Sequence, residues 1–106
     1  MVKELTKKDF SKAINAEKPL IVDFWASWCG PCKMLTPVFE KLSEEFDDLD
    51  FAKLNVEENE EVSQEYDVRG IPCLIIFSKG KEIDRIVGYF GESQLKAKIQ
   101  NILDRI

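Results

Sequence analysis

The segment Leu20-Ile21-Val22-Asp23-Phe24-Trp25 constrains the fold more than any other stretch of the chain. It is too short for a typical helix and apolar at every position but Asp23, so it reads as a strand buried on both faces. Such a strand needs helices above and below it, as in a parallel or mixed sheet. The flanking sequence supplies them. Thr6-Lys7-Lys8-Asp9 resembles a capping box with Asp in place of Glu or Gln, and Phe10, Ala13 and Ile14 follow at helical spacing until Pro19 closes the segment. Lys33 to Phe46 carries Leu35, Val38, Phe39, Leu42 and Phe46 as a helical stripe, with Pro37 an expected kink. Phe51 to Val56 reads as a second central strand. Glu57 to Tyr66 reads as a short helix whose carboxylates favour its positive N-terminal end. Cys73 to Phe77 is a third strand, Ser78-Lys79-Gly80-Lys81 a hairpin turn, and Glu82 to Val87 the antiparallel return. From Ser93, residues Leu95, Ile99, Ile102, Leu103 and Ile106 form a last amphipathic helix. The order β-α-β-α-β-α-β-β-α implies an α/β fold: a central mixed sheet of about five strands flanked by four helices in an αβα sandwich.

Composition narrows the function. With 106 residues and 44% hydrophobic content, the chain is one domain, 1–106, able to build a core without metal or disulfide staples. Charged residues make up 33% with both signs mixed, which excludes a disordered chain. A net charge of −5 disfavours nucleic acid as a partner, because phosphate binding needs concentrated positive charge. No apolar run approaches the ~18 residues of a membrane span, so a soluble protein is expected. The absence of histidine removes Ser-His-Asp and Cys-His hydrolases and every imidazole zinc site. The opening Met1-Val2-Lys3-Glu4-Leu5 lacks the apolar region of a secretory signal, so a cytoplasmic location is expected. Structural disulfides are rare there, and the three cysteines read as catalytic, metal-binding or simply buried.

Trp28-Cys29-Gly30-Pro31-Cys32 lies between the buried strand and the next helix, where a C-x-x-C reads as a dithiol redox motif. One helical turn brings two cysteines at this spacing close enough to bond, and Pro31 suits a first turn whose N–H groups lack partners. At the helix N-terminus, Cys29 meets unpaired N–H groups and the positive dipole end. Its thiol should ionise below the free value of ~8.5, making it the attacking sulfur. Cys32, one turn inside, should be more shielded and act as the resolving thiol. Asp23 is an anomaly in its apolar strand. Burial should raise its pKa and make it a candidate general base or acid beside the dithiol. Lys53, also in a central strand, is positioned to pair with it. Half a zinc site is the other reading of C-x-x-C. Structural zinc takes four ligands, however, and only Cys73 remains.

Phe24-Trp25-Ala26-Ser27-Trp28-Cys29-Gly30-Pro31-Cys32-Lys33-Met34, followed by Pro37, resembles the active-site signature of the thioredoxin family. Arg69-Gly70-Ile71-Pro72 before a strand resembles that family's cis-proline loop, and Val87-Gly88 its pattern glycine. The resemblance runs in order over nearly the whole chain and implies a thioredoxin fold. It also implies protein-disulfide reduction: Cys29 attacks a client disulfide, and Cys32 then displaces the client, leaving a Cys29–Cys32 disulfide. By the same resemblance, Asp23 takes the Cys32 proton through water, and Lys53 tunes its charge. Ile71-Pro72 would be cis, with Pro72 against the sulfurs and the Ile71 backbone open to an extended client. Trp28, Gly30, Pro31, Gly88 and Tyr89 would floor the groove, and Gly30-Pro31 resembles the dipeptide of reducing members. No cofactor is implied, since the two sulfurs carry the electrons. The implied partners are disulfide-bearing client proteins and a recycling thioredoxin reductase fed by NADPH through flavin or by ferredoxin, the chain itself acting as a monomer.

Two other classes stay open at this point: a thioredoxin-fold interaction module without catalysis, and a glutaredoxin-like reductase of glutathione mixed disulfides. The cysteine pair with Asp23 and Pro72 argues against the first, and Gly30-Pro31 with Trp28 against the second. Cys73 departs from the family pattern, which commonly has Thr after that proline. It reads as a small buried hydrophobe or as a third reactive thiol near the groove.

Overall fold

A computed structural model describes all residues, 1–106. Its elements are β1 (Val2–Leu5), α1 (Lys7–Ile14), β2 (Leu20–Trp25), α2 (Gly30–Ser43), β3 (Asp50–Asn55), α3 (Glu60–Glu65), β4 (Cys73–Ser78), β5 (Lys81–Val87) and α4 (Glu92–Leu103). The five strands form one mixed sheet in the order β1-β3-β2-β4-β5. β3 pairs in parallel with both β1 and β2, while β4 runs antiparallel to β2 and to β5. β2 is therefore central, as its apolar run requires.

Alternation along each strand divides the core into two layers. Ile21, Phe51, Leu74 and Ile76 meet Leu35, Phe39 and Leu42 of α2 and Leu95, Ile99 and Ile102 of α4. Val22, Phe24, Ala52, Ile75 and Phe77 meet Phe10 and Ile14 of α1 and Val62 of α3. Phe10 contacts Phe24 and Phe77 edge to face, with ring centroids 6.3 and 5.6 Å apart. Leu20–Trp25 thus reads the same in sequence and structure.

Element ends differ from expectation by a few residues, each for a local reason. α2 starts at Gly30 rather than Lys33, because Cys29 caps it and its first turn tolerates Pro31. It ends at Ser43, and Phe46 is buried in the following turn. α3 starts at Glu60 rather than Glu57, since Glu57 bonds back to an earlier loop. β3 runs one residue earlier than expected, and α4 spans Glu92–Leu103 without Ile106. Thr6 precedes α1 with its N–H donating to the Asp9 carboxylate at 2.6 Å, so Asp serves the capping role of Glu. The β4–β5 turn is Lys79-Gly80, both at positive φ (52° and 85°), a conformation that glycine takes readily.

Candidate active site

The end of β2 delivers the chain into a short loop and then into α2, and that junction holds the two cysteines. Cys29 is the N-cap of α2, and its Sγ accepts the backbone N–H of Cys32 at 3.2 Å. The pair is joined as a disulfide with a Cα–Cα separation of 5.2 Å. Ala26, Cys29 and Cys32 form a small buried cluster bordered by Trp25, Val56 and Ile71. Exposure does not separate the two cysteines as the sequence suggested, since Cys29 is 4% exposed and Cys32 2%. What distinguishes them is position: Cys29 caps the helix and receives its orphan N–H, whereas Cys32 lies inside the first turn.

The loop before β4 closes the site from the other side. The Ile71-Pro72 bond is cis, and the Ile71 carbonyl lies 3.9 Å from Cys29 Sγ. Neither Ile71 backbone group joins a backbone–backbone hydrogen bond, which leaves both open to an added strand. The Pro72 carbonyl instead accepts the N–H of Gly88 at 2.8 Å. Gly88 has φ +99°, a left-handed conformation that suits glycine and turns the chain out of β5 beside the cis-proline loop. Trp28 is 69% exposed and Tyr89 partly so, giving an apolar surface around the buried sulfurs. Met34, in the first turns of α2, is also exposed, a contact surface that the sequence reading did not single out.

Asp23 is buried, one of its carboxylate oxygens (Oδ1) has no hydrogen-bond partner, and its pKa is pushed up to about 7. Desolvation is the main cause, partly offset by the Lys53 ammonium, while Glu4 adds a small upward push. Lys53 stands opposite Asp23 in the β2–β3 register, yet no ion pair joins them. The expected pairing is corrected by the structure: the Lys53 Nζ reaches Glu4 on β1 at 3.7 Å and lies 5.3 Å from the centre of the Trp25 ring. An exposed carboxylate is a far better-solvated partner than a desolvated one, and the aromatic face adds a cation–π contact.

Two further features depart from the sequence reading. The sequence places Glu57 at the start of a helix, but the helix α3 begins at Glu60. Instead Glu57 accepts hydrogen bonds from the Ser27 N–H at 2.9 Å and the Ser27 hydroxyl at 2.8 Å. These bonds hold its carboxyl below the usual range and fix the loop that carries Trp28. No local pattern in the sequence signals this contact, which spans thirty positions. Cys73 is 1% exposed and belongs to the layer formed with α1 and α3, on the sheet face opposite Leu74 and the α2 side. Burial pushes its thiol up, so it is the small buried residue of the two readings rather than a thiol open to the groove.

A family model described as Thioredoxin matches residues 1–101. The chain is 43% identical over 100 residues to a thioredoxin of Alicyclobacillus acidocaldarius, covering 93% of this chain and 95% of that one. It is 41% identical over 98 residues to a bifunctional thioredoxin reductase/thioredoxin of Mycobacterium leprae, covering 92% of this chain and 21% of the relative. Among solved structures, the thioredoxin of Malassezia sympodialis superposes with a TM-score of 0.87 at 38% identity, covering 94% of this chain and 91% of that one. The fold of the chain, its Cys29–Cys32 pair and these similarities agree: the chain belongs to the thioredoxin family and is a thiol–disulfide oxidoreductase that reduces client disulfides and is recycled by a thioredoxin reductase.

Proposed function

We propose that Cys29 is the sulfur that attacks the client and Cys32 the one that resolves the mixed disulfide. The observation that carries this assignment is the hydrogen bond from the Cys32 N–H to Cys29 Sγ at the start of α2. A thiolate at Cys29 would accept that same donor and lie at the positive end of the helix, which favours the ionised form. In the reduced protein the Cys29 thiolate displaces one sulfur of the client disulfide, forming the Cys29–client bond and releasing the other client sulfur as a thiolate. Cys32 loses its proton to Asp23 and attacks Cys29. The Cys29–client bond breaks, the second client sulfur leaves with the electron pair, and Cys29–Cys32 is left oxidised. Two electrons pass to the client, and the reductase returns them.

Asp23 is the proton acceptor in this reading. It lies on the sheet face covered by α2, and its pKa of about 7 lets it hold or release a proton near neutral pH. Gly30 and Pro31 set the geometry of the first helical turn. The backbone of Ile71 pairs with an extended client segment beside Pro72, over a floor that includes Trp28, Gly88 and Tyr89. The residues 1–106 act as one domain and as a monomer, because a single chain supplies every group of the reaction. A cytoplasmic setting agrees with a disulfide that must cycle and a third cysteine kept free. The reductase draws on NADPH through flavin or on ferredoxin; either regenerates the same dithiol. No helix is long and apolar enough to cross a membrane.

Insulin reduction driven by dithiothreitol tests the assignment. Cys29→Ser should abolish turnover. Cys32→Ser should retain attack and accumulate covalent client adducts visible on non-reducing gels. Full turnover by Cys29→Ser, or adducts forming through Cys32 instead, would reverse the two roles.

A further inference from the structure

Glu4, Lys53 and Asp23 are direct neighbours across three adjacent strands, since Glu4 pairs with Lys53 in the β1–β3 register and Asp23 pairs with Lys53 in the β2–β3 register. Strand alternation puts all three on the face that α2 and α4 cover. The Lys53 ammonium has one close carboxylate, and it belongs to Glu4, 3.7 Å away at the half-exposed edge of the sheet. Asp23 keeps an unpartnered oxygen in the interior. We infer that Glu4 is a positioning residue for the exchange reaction: by holding the Lys53 ammonium toward the sheet edge, it keeps that cation from pairing with Asp23 and so preserves a carboxylate able to bind a proton.

The geometry makes this a competition for one cation. Asp23 has lost most of its water, so its ionised form depends heavily on any nearby positive charge. Lys53 is its only cationic neighbour in register, β4 presents apolar Leu74 opposite it, the helices that cover this face contribute apolar side chains to its core, and Cys73 lies in the layer on the other sheet face. A Lys53 released from Glu4 has a flexible stem with which to swing toward the orphan oxygen. Full pairing would turn Asp23 into a permanent anion at neutral pH, able to attract a proton only weakly. Glu4 therefore acts twice in the same direction, once by restraining Lys53 and once through its own negative charge.

The inference uses the reading of Asp23 as proton acceptor only for its kinetic consequence, and two readouts keep them apart. The first follows the Asp23 side-chain carboxyl carbon by NMR against pH in the full oxidised chain. Glu4→Gln should lower its midpoint by about half a pH unit or more, as expected for removing one charge at this range and freeing another. Glu17→Gln, which removes an equal charge in the loop before β2, should leave it in place. In a Lys53→Met background the Glu4→Gln shift should shrink to less than half. An unmoved midpoint, or an equal shift with and without Lys53, overturns the inference. The second readout is the pH profile of client release, which should move with the NMR midpoint. A midpoint that moves while the profile stays fixed upholds the competition for Lys53 but rejects Asp23 as the base, and with it the part of Glu4 in the exchange reaction.

Discussion

Asp23 shows how one residue couples chemistry to stability. Its folded pKa of about 7 stands above the 3.8 of an unperturbed Asp, so the native state holds this proton more tightly than the unfolded chain. Below pH 3.8 the group is neutral in both states and costs nothing. Between 3.8 and 7 the unfolded chain releases a proton that the native state keeps, so stability falls as pH rises, levelling off above 7. A shift of about three units corresponds to roughly 4 kcal/mol at the plateau. Asp23→Asn should therefore gain stability relative to the parent between pH 4 and pH 8.5, by up to about 4 kcal/mol, measured by guanidinium unfolding of the oxidised proteins. The same variant should slow client release on the order of tenfold at pH 8 while leaving initial attack by Cys29 intact, as rapid-mixing kinetics would resolve. A stability difference that does not change with pH, or equal slowing of both steps, would reject this account. Much of this site was legible in the sequence at the residue scale: a lone carboxylate in an apolar strand signals its own desolvation. The partner of Lys53 was not, because register between β1 and β3 is a tertiary property and Glu4 carries no local mark of it.

Among the elements, the strands and helices follow from hydrophobic period, whereas their ends follow from capping and turn chemistry. α2 is the clearest case, with an apolar stripe that becomes regular only at Leu35 although the helix opens five residues earlier, on glycine and proline. The first turn is specified by what it lacks, side-chain bulk at Gly30 and a backbone donor at Pro31, and periodicity is blind to that. β1 carries only two apolar residues in four, so its existence follows from the order of elements rather than from its own pattern. The Lys79-Gly80 turn shows the opposite, a local signal that fixes geometry. Gly80 has φ +85°, donates its N–H to the Ile14 carbonyl at 2.8 Å, and faces the Asn15 side chain, into which an added Cβ would run. Gly80→Ala should cost about 1–3 kcal/mol in thermal unfolding without altering insulin reduction. Adding Asn15→Ala should restore only the steric part of that loss, because the backbone strain persists. No loss of stability in Gly80→Ala would mean that the turn relaxes to another conformation.

On the scale of the whole molecule, the sheet separates two layers that share strands but not chemistry. Cys29, Cys32 and Asp23 work at one end and on the α2 side, while Cys73 faces α1 and α3. With its pKa raised by burial, Cys73 should resist iodoacetamide in the native oxidised protein and take up one equivalent only after unfolding in guanidinium, as mass spectrometry would count. Labelling of the native chain at the rate of a free thiol would show that the layer opens. The overall architecture was readable from the succession of buried strand, helix and hairpin, since a two-sided strand admits few arrangements. Which layer each residue joins was readable only once the register was known, which is why the placement of Cys73 stayed open until the fold was built.

The sheet also acts as a septum. Cys73 sits among the apolar side chains packed on α1 and α3, whereas Cys29 and Cys32 form a cluster of their own that meets that layer at Val56, so the chain carries its spare thiol in separate packing while the reactive pair opens and closes. The side chains around Cys73 are held by packing rather than by the exchange reaction.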